Sequence, residues 1–192
     1  MVSSMHVLRR YVFQRALLMV LALACSISTV FAETDTQPES KIQAAFLVKF
    51  TSYVDWPASA FGQTDSPLVI GVLEDDEVAD ELSHLVGART VNGHPLLIRR
   101  LAAGDAVTGS HVLFIGSKVG ARLGKTLADI KTQPILTVTE VDGALLYGSV
   151  INFIVLDEQV RFDVSLAAAE SGNLKISSRL LTVARQVIPV TP

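Results

Sequence analysis

The chain has 192 residues, of which 49% are hydrophobic and 18% charged, and its formal net charge is −3. This length suits one domain with a sizeable core. No basic stretch follows the first 32 residues. The composition therefore excludes the electrostatic footprint of a nucleic-acid-binding protein and gives no attraction to an anionic membrane surface.

The N-terminal segment has the three parts of a secretory signal. Residues 1–15 contain three arginines and no acidic residue, residues 16–24 are an unbroken apolar run, and residues 30–32 read VFA. A charged region, an apolar region and a small-residue cleavage site follow one another in this order in signal peptides. The apolar run is far shorter than the ~20 residues of a membrane-spanning helix. We predict a signal peptide over residues 1–32, cleaved after Ala32, and a periplasmic location.

Two alternatives for this segment remain open. It could stay as an uncleaved anchor, or Cys25 could be lipidated, because Ala22 to Cys25 distantly resembles a lipoprotein box. Cleavage after Ala32 leaves 13 basic and 19 acidic residues, a net charge of −6, and no cysteine. The mature chain is then predicted to have a polar tether over residues 33–39, one domain over residues 40–192, and no membrane insertion.

The first half of the domain alternates helices and strands. A helix is predicted from Ser40, a suitable N-cap, to residue 55, because apolar residues recur there at helical spacing. Trp56 ends it, since the residue before a proline disfavours the α region. Residues 68–73 (LVIGVL) are typical of a strand buried on both faces. The acidic run that follows predicts a helix N-terminus, because carboxylates cap it and favour its dipole.

The alternation continues toward the C-terminus and then changes. Further strands are predicted at 95–101, 111–115 and 135–138, with helices at 74–86 and from 116–118 to 130. Residues 150–156 and 160–164 are separated by three residues, a connection that joins only antiparallel neighbours. In the second of these strands Val160, Phe162 and Val164 face one way, and Arg161 and Asp163 the other. Two short helices, at 165–170 and 177–187, close the chain. The predicted fold class is α/β, a three-layer Rossmann-like sandwich whose mostly parallel sheet carries an antiparallel C-terminal hairpin.

Catalytic chemistry has little support in the sequence. After cleavage the histidines are His84, His94 and His111, and no two stand at a metal-ligand spacing. There is no nucleophile elbow beside a base. We therefore predict no catalytic residue, no metal and no cofactor, and a protein that is not an enzyme.

Aromatic residues gather in the first predicted helix and allow two interpretations. Phe46, Phe50, Tyr53 and Trp56 could pack against the sheet as core residues. Alternatively, part of this face, notably Trp56 at the helix end, could project as an anchor for a protein partner.

Three groups of segments, taken in this order, match the pattern of a known protein family. They are KIQAAFLVKF at 41–50 with VDWP at 54–57, GSVINF at 148–153 with VRFDV at 160–164, and LKISSRLL at 174–181. Together they resemble the YfiR-like family of bacterial periplasmic proteins. The resemblance extends over about residues 40–188 and is most specific at both ends.

This resemblance implies a regulatory role. It implies a repressor that binds the periplasmic part of an inner-membrane diguanylate cyclase or similar sensor, and so lowers cyclic-di-GMP and biofilm formation. It also implies an outer-membrane lipoprotein that relieves the repression by sequestering the repressor. The best-understood family member has cysteines paired as disulfides, whereas residues 33–192 contain none, so redox control is not carried over.

Matching motif positions predict a set of partner-binding residues. The set is Trp56, Asn152, Arg161, Lys175, Ser177 and Ser178. Phe153 also matches, but for this residue and Phe162 we favour buried packing within the hairpin. Asn152 and Arg161 could instead pair inside the sheet, and the two serines could be N-caps of the last helix.

Three functions are weighed against one another. The first is a periplasmic regulator that inhibits a membrane-bound signalling enzyme by contact, with a homodimer left open. The second is a periplasmic small-ligand-binding module, with an acidic or amino-acid-like ligand at the carboxyl ends of the parallel strands. The third is a hydrolytic enzyme.

Overall fold

The computed structural model describes residues 38–63 and 65–190. The predicted signal peptide, its cleavage after Ala32, Cys25 and residues 33–37 of the predicted tether lie outside these residues. The part of the chain that is described contains no helix long and apolar enough to cross a membrane.

Helices and strands alternate along most of the described chain. In chain order the elements are α1 (Glu39–Phe50), β1 (Val54–Asp55), β2 (Leu68–Leu73), α2 (Asp76–Val86), β3 (Thr90–Val91), β4 (His94–Leu101), β5 (Val112–Ile115), α3 (Leu123–Ile130), β6 (Leu136–Thr139), β7 (Ile151–Leu156), β8 (Gln159–Ser165), α4 (Leu166–Ser171), β9 (Lys175–Ile176), α5 (Ser178–Val183) and β10 (Gln186–Ile188).

Eight of these strands form one sheet in the order β10-β8-β7-β6-β5-β2-β4-β3. Neighbours are parallel from β4 through β2, β5 and β6 to β7, and again between β8 and β10. Only β7–β8 and β3–β4 are antiparallel. The predicted α/β class with a mostly parallel sheet is confirmed.

The sheet has a separate apolar core on each face. On one face α1 and α2 pack against alternate strand residues such as Ile70 and Phe114. On the other face α3 packs against the residues between them, such as Leu113 and Ile115. Because both faces are covered, β5 and β6 are buried along their whole length. This double burial explains why continuous apolar runs predicted these strands.

The aromatic residues of α1 are mostly core residues. The Phe50 side chain is fully buried. Its ring centroid lies 5.1 Å from that of Phe162 and 5.9 Å from that of Phe153, and Phe46 stacks on it at 5.8 Å. The helix thus attaches to the β7–β8 hairpin through aromatic contacts, which supports the packing interpretation for the phenylalanines.

The first helix ends earlier than predicted. It spans Glu39–Phe50 with Pro38 at the N-cap, so Ser40 lies inside the helix and is not its cap. Val54 and Asp55 are extended and pair antiparallel with Ile176 and Lys175. The prediction of helix to residue 55 is wrong because this pairing with a distant segment supplies the backbone hydrogen bonds instead.

Two later helices also differ from their predictions. The segment after β5 begins as a 3-10 helix over Ser117–Arg122, and Gly120 within it has φ +54°, which interrupts the predicted continuous helix. The last helix ends at Val183. Residues 186–188 form β10 beside β8, and the Arg185 guanidinium holds this segment by a two-pronged ion pair with the Asp163 carboxylate. That pair raises the pKa of Arg185 through hydrogen bonding to the carboxylate.

Candidate functional site

The short β1–β9 pair brings the first and last family-like segments together. Val54 stands opposite Ile176, and Asp55 opposite Lys175. The Ser177 N–H donates to the Tyr53 carbonyl at 2.9 Å and extends the contact. Residues directly opposite in such a pair point to the same side, so Asp55 and Lys175 share a face.

Trp56 follows directly after β1 and is held at one end. Its Nε1–H donates to the His111 carbonyl at 3.2 Å, and its ring meets the His111 ring edge-on with centroids 6.4 Å apart. Pro57 then leads the chain away in an extended conformation. The indole is only partly buried, so one part of it is fixed by the protein and the rest faces solvent.

A cleft of about 720 Å³ opens beside Trp56, and we call it the Trp56 cleft. Its walls are mostly apolar, and its charged members are Asp55, Glu170 and Lys175. The lining residues are Asp55, Trp56, Pro57, Leu166, Ala169, Glu170, Asn173, Leu174, Lys175, Ile176 and Val190. Two of the predicted partner-binding residues, Trp56 and Lys175, therefore share one concave surface.

The other predicted residues on the C-terminal segment lie nearby but outside this cleft. Ser177 is the N-cap of α5, and its Oγ accepts from the Arg179 N–H at 3.3 Å. Ser178 is the first helical residue and is exposed. The N-cap interpretation holds for Ser177, whereas Ser178 presents its hydroxyl to solvent.

Arg161 and Asn152 are on the hairpin and have opposite environments. Arg161 is exposed and donates to the Gln159 side chain on its own strand. Asn152 is only 5% exposed, and its Oδ1 accepts from the Thr139 hydroxyl at 2.6 Å. Ser149 completes this buried network by donating to the Ile151 carbonyl at 2.8 Å. The network satisfies the amide oxygen of Asn152 internally, and the residue is buried, so we leave it out of the contact surface proposed below.

The carboxyl ends of the parallel strands form a second crevice, of about 500 Å³. Its carboxylates come from Glu39, Asp75, Glu77, Glu140 and Asp142, and Lys118 is the cation in its lining. Carboxylates this close disfavour another negative charge. The location expected for a small ligand exists, but its charge opposes an acidic ligand.

Hydrogen bonds within the protein already occupy part of this crevice. The Glu140 carboxylate accepts from the Ser117 N–H at 2.8 Å and from Gln43 Nε2 at 3.0 Å, and Gln43 also donates to Glu39. Burial and the neighbouring carboxylates Glu140 and Asp75 raise the pKa of Glu39. The turn after β5 thus holds the protein's own carboxylate where an external anion would bind.

Metal ligation has no support in the described residues, where no group of three or more histidine, cysteine, aspartate or glutamate side chains could hold an ion. The acidic run after β2 acts as a helix cap, since Asp75 Oδ1 accepts from the Val78 N–H at 2.9 Å.

A family model described as YfiR/HmsC-like matches residues 40–185. The chain belongs to the YfiR/HmsC-like family. No curated protein matches the chain. All six predicted partner-binding residues lie within the matched range, and the resemblance seen in the sequence is confirmed.

The sequence did not predict one cluster of stacked rings in this YfiR/HmsC-like protein. The Phe61 ring is stacked between His94 and His111, with centroids 4.0 and 4.5 Å away. His111 Nδ1 accepts from the Val69 N–H at 3.0 Å, and its Nε2–H donates to the Ala60 carbonyl at 3.1 Å. Burial lowers the pKa of His111. The three rings are too far apart in sequence for any spacing rule to join them.

Proposed function

We propose that this YfiR/HmsC-like protein is a periplasmic regulator that binds and inhibits a membrane-bound diguanylate cyclase. Inhibition lowers cyclic-di-GMP and with it biofilm formation. The protein acts by contact and carries out no catalysis. An outer-membrane lipoprotein that sequesters it is a further part of the proposal, as is a three-layer Rossmann-like organisation of the domain.

The observation that carries the proposal is the meeting of the two most family-specific segments. The VDWP and LKISS segments pair as β1 and β9 and together form the Trp56 cleft. Family membership over residues 40–185 supports the regulatory role. The same segments build a surface with the chemistry of a protein contact.

The Trp56 cleft has the composition expected of a binding surface. Tryptophan is among the residues most enriched at energetically dominant interface positions. Here the indole is anchored by its bond to the His111 carbonyl, so little side-chain freedom is lost on binding. Lys175 and Asp55 are exposed charges beside it, and charges at a rim help to select and orient a partner.

The first test asks whether the protein binds and silences a cyclase. The gene is deleted and restored in its own host, cellular cyclic-di-GMP is measured, and the membrane cyclase encoded beside it is captured with the tagged full-length product. We expect deletion to raise cyclic-di-GMP and the wild-type gene to restore it. Unchanged cyclic-di-GMP together with no captured cyclase would refute the proposed function.

The second test assigns the contact surface. Trp56→Ala is expected to weaken cyclase binding by at least ~30-fold, the equivalent of a hot-spot residue, and Lys175→Glu is expected to weaken it less. Leu146→Ser is the matched control, because Leu146 is 88% exposed and lies in the β6–β7 connection. If both cleft variants bind the cyclase like the control, the contact lies elsewhere.

A small-ligand-binding function is the second candidate, and the size of the Trp56 cleft favours it. At about 720 Å³ it lies within the usual range of small-molecule pockets, roughly 300–1,000 Å³. A thermal-shift screen of aromatic and aliphatic amines and carboxylates addresses this candidate. A ligand at 100 times its Kd should add about 2.7 kcal/mol of stability, and this gain should disappear in Trp56→Ala.

A further inference from the structure

A third concave surface lies between α1, β8 and α5, and we call it the basic groove. It has a volume of about 320 Å³. Lys49, Arg161 and Arg179 supply its charges, and its lining contains no carboxylate. All three cations are exposed.

These three cations lack the ion pairs that four other cations of the described chain form. Arg100, Arg122, Lys125 and Arg185 each lie within ion-pair distance of a carboxylate. Lys49, Arg161 and Arg179 take part in none of the ion pairs among the described residues. The sequence is acidic overall, so three cations in one groove whose lining contains no carboxylate form a local exception to its charge.

The rest of the groove is apolar and aromatic. Phe162 and Leu180 are buried beneath it, and Phe46 and Tyr53 are partly exposed. Val183 lines one side and is 63% exposed, which is high for an aliphatic side chain. A low-dielectric floor strengthens the attraction between the cations and an incoming anion relative to open water.

The size and chemistry of the groove indicate what occupies it. Its volume is at the lower limit for small-molecule pockets and accommodates one or two large side chains. Apolar walls favour an aromatic or aliphatic side chain, and the unpaired cations favour carboxylates next to it. We propose that the basic groove binds a segment of a partner protein in which one large apolar side chain is flanked by acidic residues.

This inference deepens the proposed function by naming the chemistry of a partner segment, but the binding itself can be tested without any cyclase. The protein is made from the full-length gene and used to select from a phage-displayed library of random dodecapeptides. The best selected peptide is then synthesised with a fluorescent label, and its Kd is measured by polarisation. We expect enrichment of an aromatic or aliphatic residue flanked by aspartate or glutamate.

Charge-reversal variants locate the binding. Arg161→Glu combined with Arg179→Glu should weaken peptide binding at least tenfold, and Val183→Asp should weaken it severalfold through the apolar wall. The matched control combines Lys125→Glu with Lys131→Glu, exposed residues of the α3 region on the other face of the sheet, with the same change in net charge. The control should stay within twofold of wild type, and circular dichroism should show that all variants are folded.

Several results would overturn the proposal. These are selection of peptides without the acidic and apolar pattern, equal losses in the groove and control variants, or no loss in the groove variants. Sedimentation with phosphatidylglycerol vesicles that depends on Arg161 and Arg179 would replace the protein segment with a lipid. A self-association removed by the same substitutions would replace it with a second copy of this chain.

Cyclase capture separates this proposal from the proposed function. In one outcome, wild-type protein and the double groove variant capture the cyclase equally well, and the selected peptides bind both with the same Kd. The groove proposal is then wrong while the proposed function stands. If wild type captures no cyclase but peptide binding follows the pattern above, the function is wrong while the groove proposal stands.

Discussion

Replacing Gly116 by alanine is expected to lower the free energy of unfolding by about 2–4 kcal/mol. Gly116 follows β5 with φ −68°, which alanine adopts freely, so the effect must come from space. A Cβ at this position would lie 2.9 Å from the Asp75 Cβ, 3.0 Å from the Glu74 carbonyl oxygen and 3.3 Å from Asp75 Oδ2. Two of these three atoms belong to the residue that caps α2.

The magnitude follows from two effects at this contact. Inserting a carbon into a packed site destabilises a protein by about 1–3 kcal/mol. Displacing Asp75 also weakens its bond from the Val78 N–H, and loss of an N-cap costs about 1 kcal/mol. Domains are stable by only about 5–15 kcal/mol, so this is a large fraction of the total.

Urea denaturation of the full-length product, followed by circular dichroism, measures the change. With an m-value of about 2 kcal/mol/M, the midpoint should fall by about 1–2 M. Gly62→Ala is the matched control, because its Cβ would meet only Ser66 Oγ at 3.8 Å, and it should change stability by less than about 0.5 kcal/mol.

A double-mutant cycle tests the stated cause. In an Asp75→Gly background, Gly116→Ala should cost at least about 1 kcal/mol less than in wild type, because two of the three close atoms are gone. The reasoning would be refuted if Gly116→Ala had no more effect than Gly62→Ala, or if Asp75→Gly gave no relief.

Three further predictions concern stability. Stability should decrease as the pH falls below about 6.5, because the pKa of His111 is lowered on folding and the unfolded chain therefore takes up the proton first. Protonation of Nδ1 also removes the acceptor for the Val69 N–H. Urea midpoints between pH 8 and pH 5 should show this fall, and a flatter profile in His111→Gln checks the assignment. Phe50→Ala should cost about 3–5 kcal/mol in the same assay, since the ring is fully buried; a loss under 1 kcal/mol would contradict the packing described. Gly124→Ala should stabilise α3 by about 0.5–1 kcal/mol, because the new Cβ would touch only the exposed Tyr147 ring, at 3.4 Å; destabilisation would mean that Tyr147 cannot shift.

The strands were predictable where burial on both faces left an unbroken apolar run. Residues 68–73 form β2 over the predicted range. The helices that begin after Asp75 and Ser165 were also predictable, because these residues cap them with their own side chains. Each of these signals is local, so the sequence carries it within a few residues.

Other elements depend on partners distant in the chain. Residues 184–187 were predicted as helix, yet the helix ends at Val183 and β10 begins at Gln186, next to Arg185, which reaches the Asp163 carboxylate on β8. Asp163 was predicted to face away from the apolar side of its strand, and it does so while remaining only 6% exposed. Alternation along a strand gives the direction of a side chain but not what covers it.

Individual residues of the candidate site could be predicted from the sequence, but the surface that they form together could not. The family resemblance selected Trp56 and Lys175 separately, and their common cleft depends on a two-residue strand pair that is too short to have a pattern of its own. The resemblance selected Asn152 as well, but its amide oxygen accepts a hydrogen bond from the buried Thr139 hydroxyl inside the domain. Lys49 and Arg179 carry no local signal, because an exposed cation on a helix is common.

The β1–β9 pair has a consequence for when the surface around Trp56 is completed. It joins Val54 to Ile176, from near the two ends of the described chain, and contacts between distant positions form late because a long loop must close first. A chain synthesised from its N-terminus therefore cannot complete the surface around Trp56 until the segment that contains Ile176 is present. Removal of the last twenty residues would take away β9 and β10, which leaves seven of the eight strands of the large sheet but removes one side of the surface around Trp56.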